Sequence, residues 1–126
     1  MSKKWHVLYY VDPDGVRPVE KYIDDLSPGE QAKMLTFIDN LEEQGPNLHR
    51  PYADLLEDGI HELRIKITGT QVRVLYFFCY KDLIILTNVF DKHTDKVPKA
   101  EIKLAKGSRS DFLSRYSEQE IRRLKL

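Results

Sequence analysis

The chain has 126 residues and a mass of 14.8 kDa, with 41% hydrophobic and 32% charged side chains. That length suits one domain with a core of its own, and the composition is neither that of a disordered segment nor that of a membrane protein, because no apolar run reaches the ~18 residues of a spanning helix. The formal charge is +0, yet residues 1–58 carry 6 basic and 12 acidic side chains while residues 91–126 carry 10 and 6, so a polyanion would be met by the second half.

The first fifteen residues have too short an apolar stretch, and no small-residue cleavage site, for a signal peptide. With Cys79 as the single cysteine, a reducing cytoplasm is expected. Trp5 to Val11 is a β-branched and aromatic run closed by the turn Asp12-Pro-Asp-Gly15, which predicts a first strand. Val19, Tyr22, Ile23 and Leu26 recur at the spacing of a short amphipathic helix. Ser27-Pro-Gly-Glu30 is a capping box opening a second helix, with Met34, Phe37, Ile38 and Leu41 as its buried stripe and Gly45-Pro46 as its stop.

Residues 46–58 hold two prolines and little periodicity, so a loop is expected there, with at most a helical turn. From Ile60 to Ile67 the pattern alternates: Leu63, Ile65 and Ile67 point one way, Glu62, Arg64 and Lys66 the other. Thr68-Gly-Thr70 is a tight turn into Gln71–Tyr80, apolar on both faces except for Arg73, and Lys81-Asp82 leads to a fourth strand, Leu83–Phe90. Pro98 opens a helix expected over Lys99–Lys106 and broken at Gly107. Further helical stretches are expected from Asp111 to Tyr116 and after the cap Ser117-Glu-Gln-Glu120. The expectation is an α+β fold: a small antiparallel four-stranded sheet with helices packed on one face. Residues 1–126 make a single domain in this reading, with residues 108–126 a basic C-terminal helical extension.

His6, His49, His61, His93 and Cys79 have no metal-ligand spacing, and neither a phosphate-binding glycine loop nor a nucleophile elbow is present. Neither a metal nor a cofactor is expected. Cys79, inside an apolar strand, reads as a core residue. What stands out is a basic constellation: Arg64 and Lys66 on one strand, Arg73 on the next, and Lys92, His93 and Lys96 just past the fourth. Neighbouring strands lie about 4.8 Å apart, so these cations can converge on one face. Arg64 and Lys66 could equally be ordinary solvent-facing charges, and His93 an ordinary loop residue. Arg73 must snorkel, pair with an acid such as Glu62, or face a cleft, because an unpaired buried charge costs several kcal/mol.

Such a cluster suits metal-free cleavage of RNA. A base removes the ribose 2′-OH proton, the oxygen attacks phosphorus, cations stabilise the crowded negative charge, and an acid protonates the leaving 5′-oxygen.

The segment GIHELRIKITGTQVRVLYFFCYKDLIILTNVFDKHTDKVPKAEIKLA, residues 59–105, resembles the RelE/ParE toxin superfamily, in particular its HigB-like, phage-derived branch. The likeness rests on Leu63-Arg64, on the run Arg73 to Tyr76, and on F-x-K-x-T-x-K-x-P-x-x-E-I-x-x-A from Phe90 to Ala105. It implies a RelE-like fold and a toxin of a type II toxin–antitoxin system that cleaves messenger RNA on the ribosome. It also implies neutralisation by a HigA-like antitoxin with a helix-turn-helix domain. Arg64, Arg73 and Lys92 match the family's basic catalytic positions. Lys66 and His93 are candidates for proton exchange, and Lys96, Lys99 and Lys103 for RNA binding. His93 stands where many relatives have a second lysine, and Gly107-Ser108 interrupts a helix that is often continuous. Two rival readings are a ParE-like inhibitor of DNA gyrase that cuts nothing, and a degenerate phage protein that keeps only the interaction fold.

Overall fold

The computed structural model describes residues 4–124. The N-terminal aromatic run forms β1 (His6–Tyr9), shorter than expected because only this stretch has a neighbour to pair with. Helix α1 (Pro18–Asp24) buries Val19 and Ile23. Helix α2 (Pro28–Gln44) begins at the expected capping box: the Glu30 amide donates to the Ser27 hydroxyl, and the Glu30 carboxylate accepts from the Ser27 amide at 3.1 Å. The bonds that the carboxylate accepts from the Ser27 amide, the Ser27 hydroxyl and the Thr68 hydroxyl hold the Glu30 carboxyl below its usual pKa. Met34, Ile38 and Leu41 are its buried stripe. Gly45 ends α2 at φ +53 and ψ −130, and the Trp5 indole lies against it where a side chain would otherwise stand.

After one 3₁₀ turn, Gly45–Asn47, the stretch expected to be a loop contains a strand, β2 (Ala53–Glu57). It pairs with β3 (Ile60–Ile67), which is followed by β4 (Thr70–Cys79) and β5 (Leu83–Asp91). The β3–β4 turn uses Thr68 and Gly69, both at positive φ, as a two-residue hairpin with the right strand twist requires. Among the described residues the sheet has five strands in the order β1-β5-β4-β3-β2, not four, with β1 parallel to β5 and every other pair antiparallel.

The helices do not share one face. α1 and α2 cover Leu63, Ile65, Val72, Val74, Tyr76, Ile84 and Leu86. The opposite face packs Leu75, Phe77, Leu83 and Ile85 under α3 (Lys99–Arg115) and α4 (Glu118–Arg123), through Ala105, Phe112 and Ile121. This is the structural meaning of β4 and β5 being apolar on both faces: each side needs its own cover.

α3 runs straight through Gly107, where a break was expected. The stripe Ala105, Ser108 and Phe112 stays in helical register, and burying Phe112 outweighs the roughly 1 kcal/mol that a helical glycine costs against alanine. A bulge in β5 at Thr87 turns Asn88 toward α3, where its side-chain amide donates to the Glu101 carboxylate at 3.0 Å. Farther along, the Tyr10 hydroxyl and the Arg115 guanidinium both bond the Asp111 carboxylate, and Arg122 of α4 grips Asp82 at 2.6 Å. Together these ties fix α3 beside the meander and leave the outer ends of β3 and β4 uncovered.

The two glycines should respond oppositely to alanine in urea unfolding. Gly45→Ala puts a methyl group into the Trp5 ring at a left-handed position and should lose about 2–3 kcal/mol. Gly107→Ala, whose new methyl meets open space, should gain about 1 kcal/mol.

Candidate functional site

The β3–β4 hairpin decides the geometry of the cationic face. Its register sets Arg64 opposite Arg73 and Lys66 opposite Gln71, and Arg73 in turn faces Phe90 of β5. Two arginines side by side need a counter-charge, and Glu62, two residues before Arg64 on the same face, provides it.

Arg73 takes the paired alternative. Its Nε lies 2.9 Å from Glu62 Oε1, with the two side chains only 3% and 9% exposed. The approach is an ion pair rather than a well-aimed hydrogen bond, since neither atom has a directed partner. Nη1 donates to the Val72 carbonyl and Nη2 to the Gln71 side-chain oxygen. Burial is the largest influence on this guanidinium and pulls its pKa down, Glu62 opposes that, and Arg64 adds to it. An arginine stays charged under such a load. Arg73 is therefore a buried cation whose named contacts all run back into the sheet.

Arg64 is different. It is half-buried, and among the described residues its guanidinium has no hydrogen-bond or ion-pair partner. Its backbone is fixed, because the Arg64 amide donates to the Tyr52 carbonyl at 2.8 Å just before β2 begins. A polar cleft of about 580 Å³ opens beside it, bordered by Thr70, Gln71, Lys92, His93 and Asp95. A second cleft, of about 280 Å³, is bordered by Arg64, Lys66, Gln71, Arg73, Tyr52 and Phe37. Arg64 and Gln71 belong to both.

The five residues singled out as catalytic thus border two adjoining clefts: Arg64, Lys92 and His93 the first, Arg64, Lys66 and Arg73 the second. The lysines singled out for RNA binding do not join them. Lys96 and Lys99 are exposed and line neither cleft, and Lys103 borders a separate, largely apolar cleft of about 600 Å³ between α3 and the β1–α1 connection. Two site residues were missed. Gln71 could have been found by pairing the hairpin through Thr68-Gly69, which sets it against Lys66. Tyr52 lies in the stretch taken for a loop, and no periodic signal marks it. Among the described residues no group of three His, Cys, Asp or Glu could hold a metal.

The model of the family Phage derived protein Gp49-like (DUF891) matches residues 21–109. The chain belongs to that family. The Gp49-like family is phage-derived and toxin-like, related to the RelE-type toxins of toxin–antitoxin systems. The matched span of this Gp49-like chain runs from α1 into α3 and contains every residue bordering the two clefts. Among curated proteins no match is found.

Stability should separate the two arginines of this Gp49-like protein. Arg73→Ala strands a buried carboxylate and should cost about 3–5 kcal/mol in urea unfolding, while the double replacement Arg73→Met with Glu62→Leu should recover most of that loss. Cys79 is half-buried at the margin of the α3-side core rather than inside it; burial pushes its thiol up to about 11, so iodoacetamide alkylation should be slow at pH 8 and accelerate steeply toward pH 11.

Proposed function

We propose that this chain is the toxin of a type II toxin–antitoxin system, of the HigB-like branch, and acts in the cytoplasm as a metal-independent endoribonuclease on messenger RNA at the ribosome. The observation that carries this reading is the convergence of Arg64, Lys92 and His93 on one polar cleft, with the buried Arg73 bordering the adjoining one. The family's relation to RelE-type toxins supports it.

In this mechanism a phosphodiester sits between the Arg64 guanidinium and the Lys92 ammonium. His93, or alternatively Lys66, removes the 2′-OH proton, and the 2′-oxygen forms a bond to phosphorus as the bond to the 5′-oxygen breaks. The departing oxygen takes a proton from the conjugate acid of the pair, leaving a cyclic 2′,3′-phosphate and a 5′-hydroxyl. Arg64 and Lys92 hold the charge that builds on the equatorial oxygens. Arg73 acts differently from the other cations: neutralised and anchored by Glu62, it orients Gln71, which borders both clefts. Lys96, Lys99 and Lys103 contribute at longer range, to the approach of the polyanion. A HigA-like helix-turn-helix antitoxin would hold the toxin in check.

The test uses translating ribosomes with wild type, Arg64→Ala and Lys92→Ala. Loss of either cation should reduce messenger cleavage by about 10²–10³-fold with folding intact, whereas undiminished cleavage by both variants overturns the assignment. Growth arrest and gyrase inhibition without cut RNA would point instead to the ParE-like reading.

A further inference from the structure

The two clefts that meet at Arg64 differ in character, and the difference has the shape of a nucleotide. The first is lined by hydroxyl, amide, imidazole, guanidinium and ammonium groups and by the Asp95 carboxylate. The second adds Pro51, Phe37 and Tyr52 to the cations Arg64 and Lys66. The Tyr52 residue is 47% exposed, and among the described residues its hydroxyl has no hydrogen-bond partner.

That position is built rather than incidental. β2 pairs with β3 only as far as Ala53 opposite Leu63, and the next contact along the edge is the Arg64 amide to the Tyr52 carbonyl. The last backbone bond at this end of the edge therefore locks an aromatic residue to the arginine that borders both clefts. A large ring left half in solvent gives up the burial that would otherwise stabilise the core. Beside two cations with no ion-pair partner among the described residues, it offers instead a flat apolar surface next to a phosphate-sized positive charge.

We propose that Tyr52 is a base-stacking subsite for single-stranded RNA, receiving the base of a nucleotide whose phosphate is held by Arg64 and Lys66. The choice of RNA as ligand rests on the ribonuclease reading above. Stacking on an aromatic ring accepts any base, because every base has a π-face, so the subsite confers affinity and strand path rather than sequence choice. It also fixes the direction of the chain. With one base parked at Tyr52, the strand passes over Arg64 and Gln71 and delivers its neighbouring phosphate to the cleft of Lys92 and His93. Duplex RNA, whose bases are already stacked on one another, has no free face to offer.

Binding is read by fluorescence anisotropy with a short single-stranded RNA made uncleavable by 2′-O-methylation, and with the same strand carrying one abasic position moved stepwise along it. Tyr52→Ala should bind about tenfold more weakly than wild type, and Tyr52→Phe, which keeps the ring, should bind as wild type does. At one position the missing base should weaken wild type by a similar factor and leave Tyr52→Ala unaffected. Unchanged affinity in Tyr52→Ala, abasic penalties identical in both proteins, or a wild type that binds no single-stranded RNA would each overturn the subsite. Cleavage on ribosomes, measured in parallel, separates the two ideas. Wild-type cleavage with Tyr52-independent binding removes the subsite alone, and Tyr52-dependent binding without cleavage supports the subsite while removing the nuclease.

Discussion

Setting Arg64 and Arg73 on facing positions of neighbouring strands brings two guanidinium groups onto one patch of sheet. At an effective dielectric of ~20, unit charges ~5 Å apart repel by about 3 kcal/mol. Glu62 removes most of that cost by pairing with the deeper arginine at 2.9 Å. The division of labour between the two follows: the paired arginine is submerged and fixed, and the other keeps its hydrogen-bonding capacity for something outside the protein. Replacing the buried pair by apolar side chains would preserve the packing of the sheet and leave the net charge unchanged but release Gln71 from the Arg73 guanidinium, so the ion pair is better understood as an anchor for the cleft wall than as a source of stability.

Much of this was legible in the residues. The helical stripe behind Ser27 and the alternation of residues 60–67 both follow from local periodicity, and the structure contains α2 and β3 where those patterns lie. Arg73 announced itself as the one charge in an apolar run, but the residues left three arrangements open to it, and pairing with Glu62 is the one the fold adopts. What was not legible depended on contacts distant in sequence. β2 carries one buried alanine and an exposed leucine, Leu55, so its apolar residues do not alternate with its burial, and only its neighbour defines it as a strand. Gly107 looks like a stop because local propensity says so, but the Phe112 contact with Phe77 overrides it. The placement of helices on both faces was implicit in the two-faced apolar character of β4 and β5, and a count of four strands obscured it.

The site shows the same pattern. Arg64, Lys66, Lys92 and His93 could be gathered by strand spacing because they lie on or just beyond adjacent strands. Tyr52 could not, since it reaches the cleft through the backbone bond to Arg64 rather than through a pattern of its own. A chain of zero net charge can still gather free cations at one place: the carboxylates of Glu57, Asp58, Asp82 and Asp111 are paired at the opposite end of the strands and on α3 with Lys106, Arg122 and Arg115, and the clefts keep their cations.

The parallel seam between β1 and β5 joins His6 to Leu83 and Tyr9 to Leu86. β3, β4 and β5 are connected by tight turns, so they can zip together with little loss of chain entropy, whereas closing the seam must first bridge the whole of both N-terminal helices and the hairpin. During synthesis the first strand emerges early and waits unpaired until the last strand of the meander has left the exit tunnel. The N-terminal strand is therefore the piece of the sheet whose pairing carries the largest cost of chain closure.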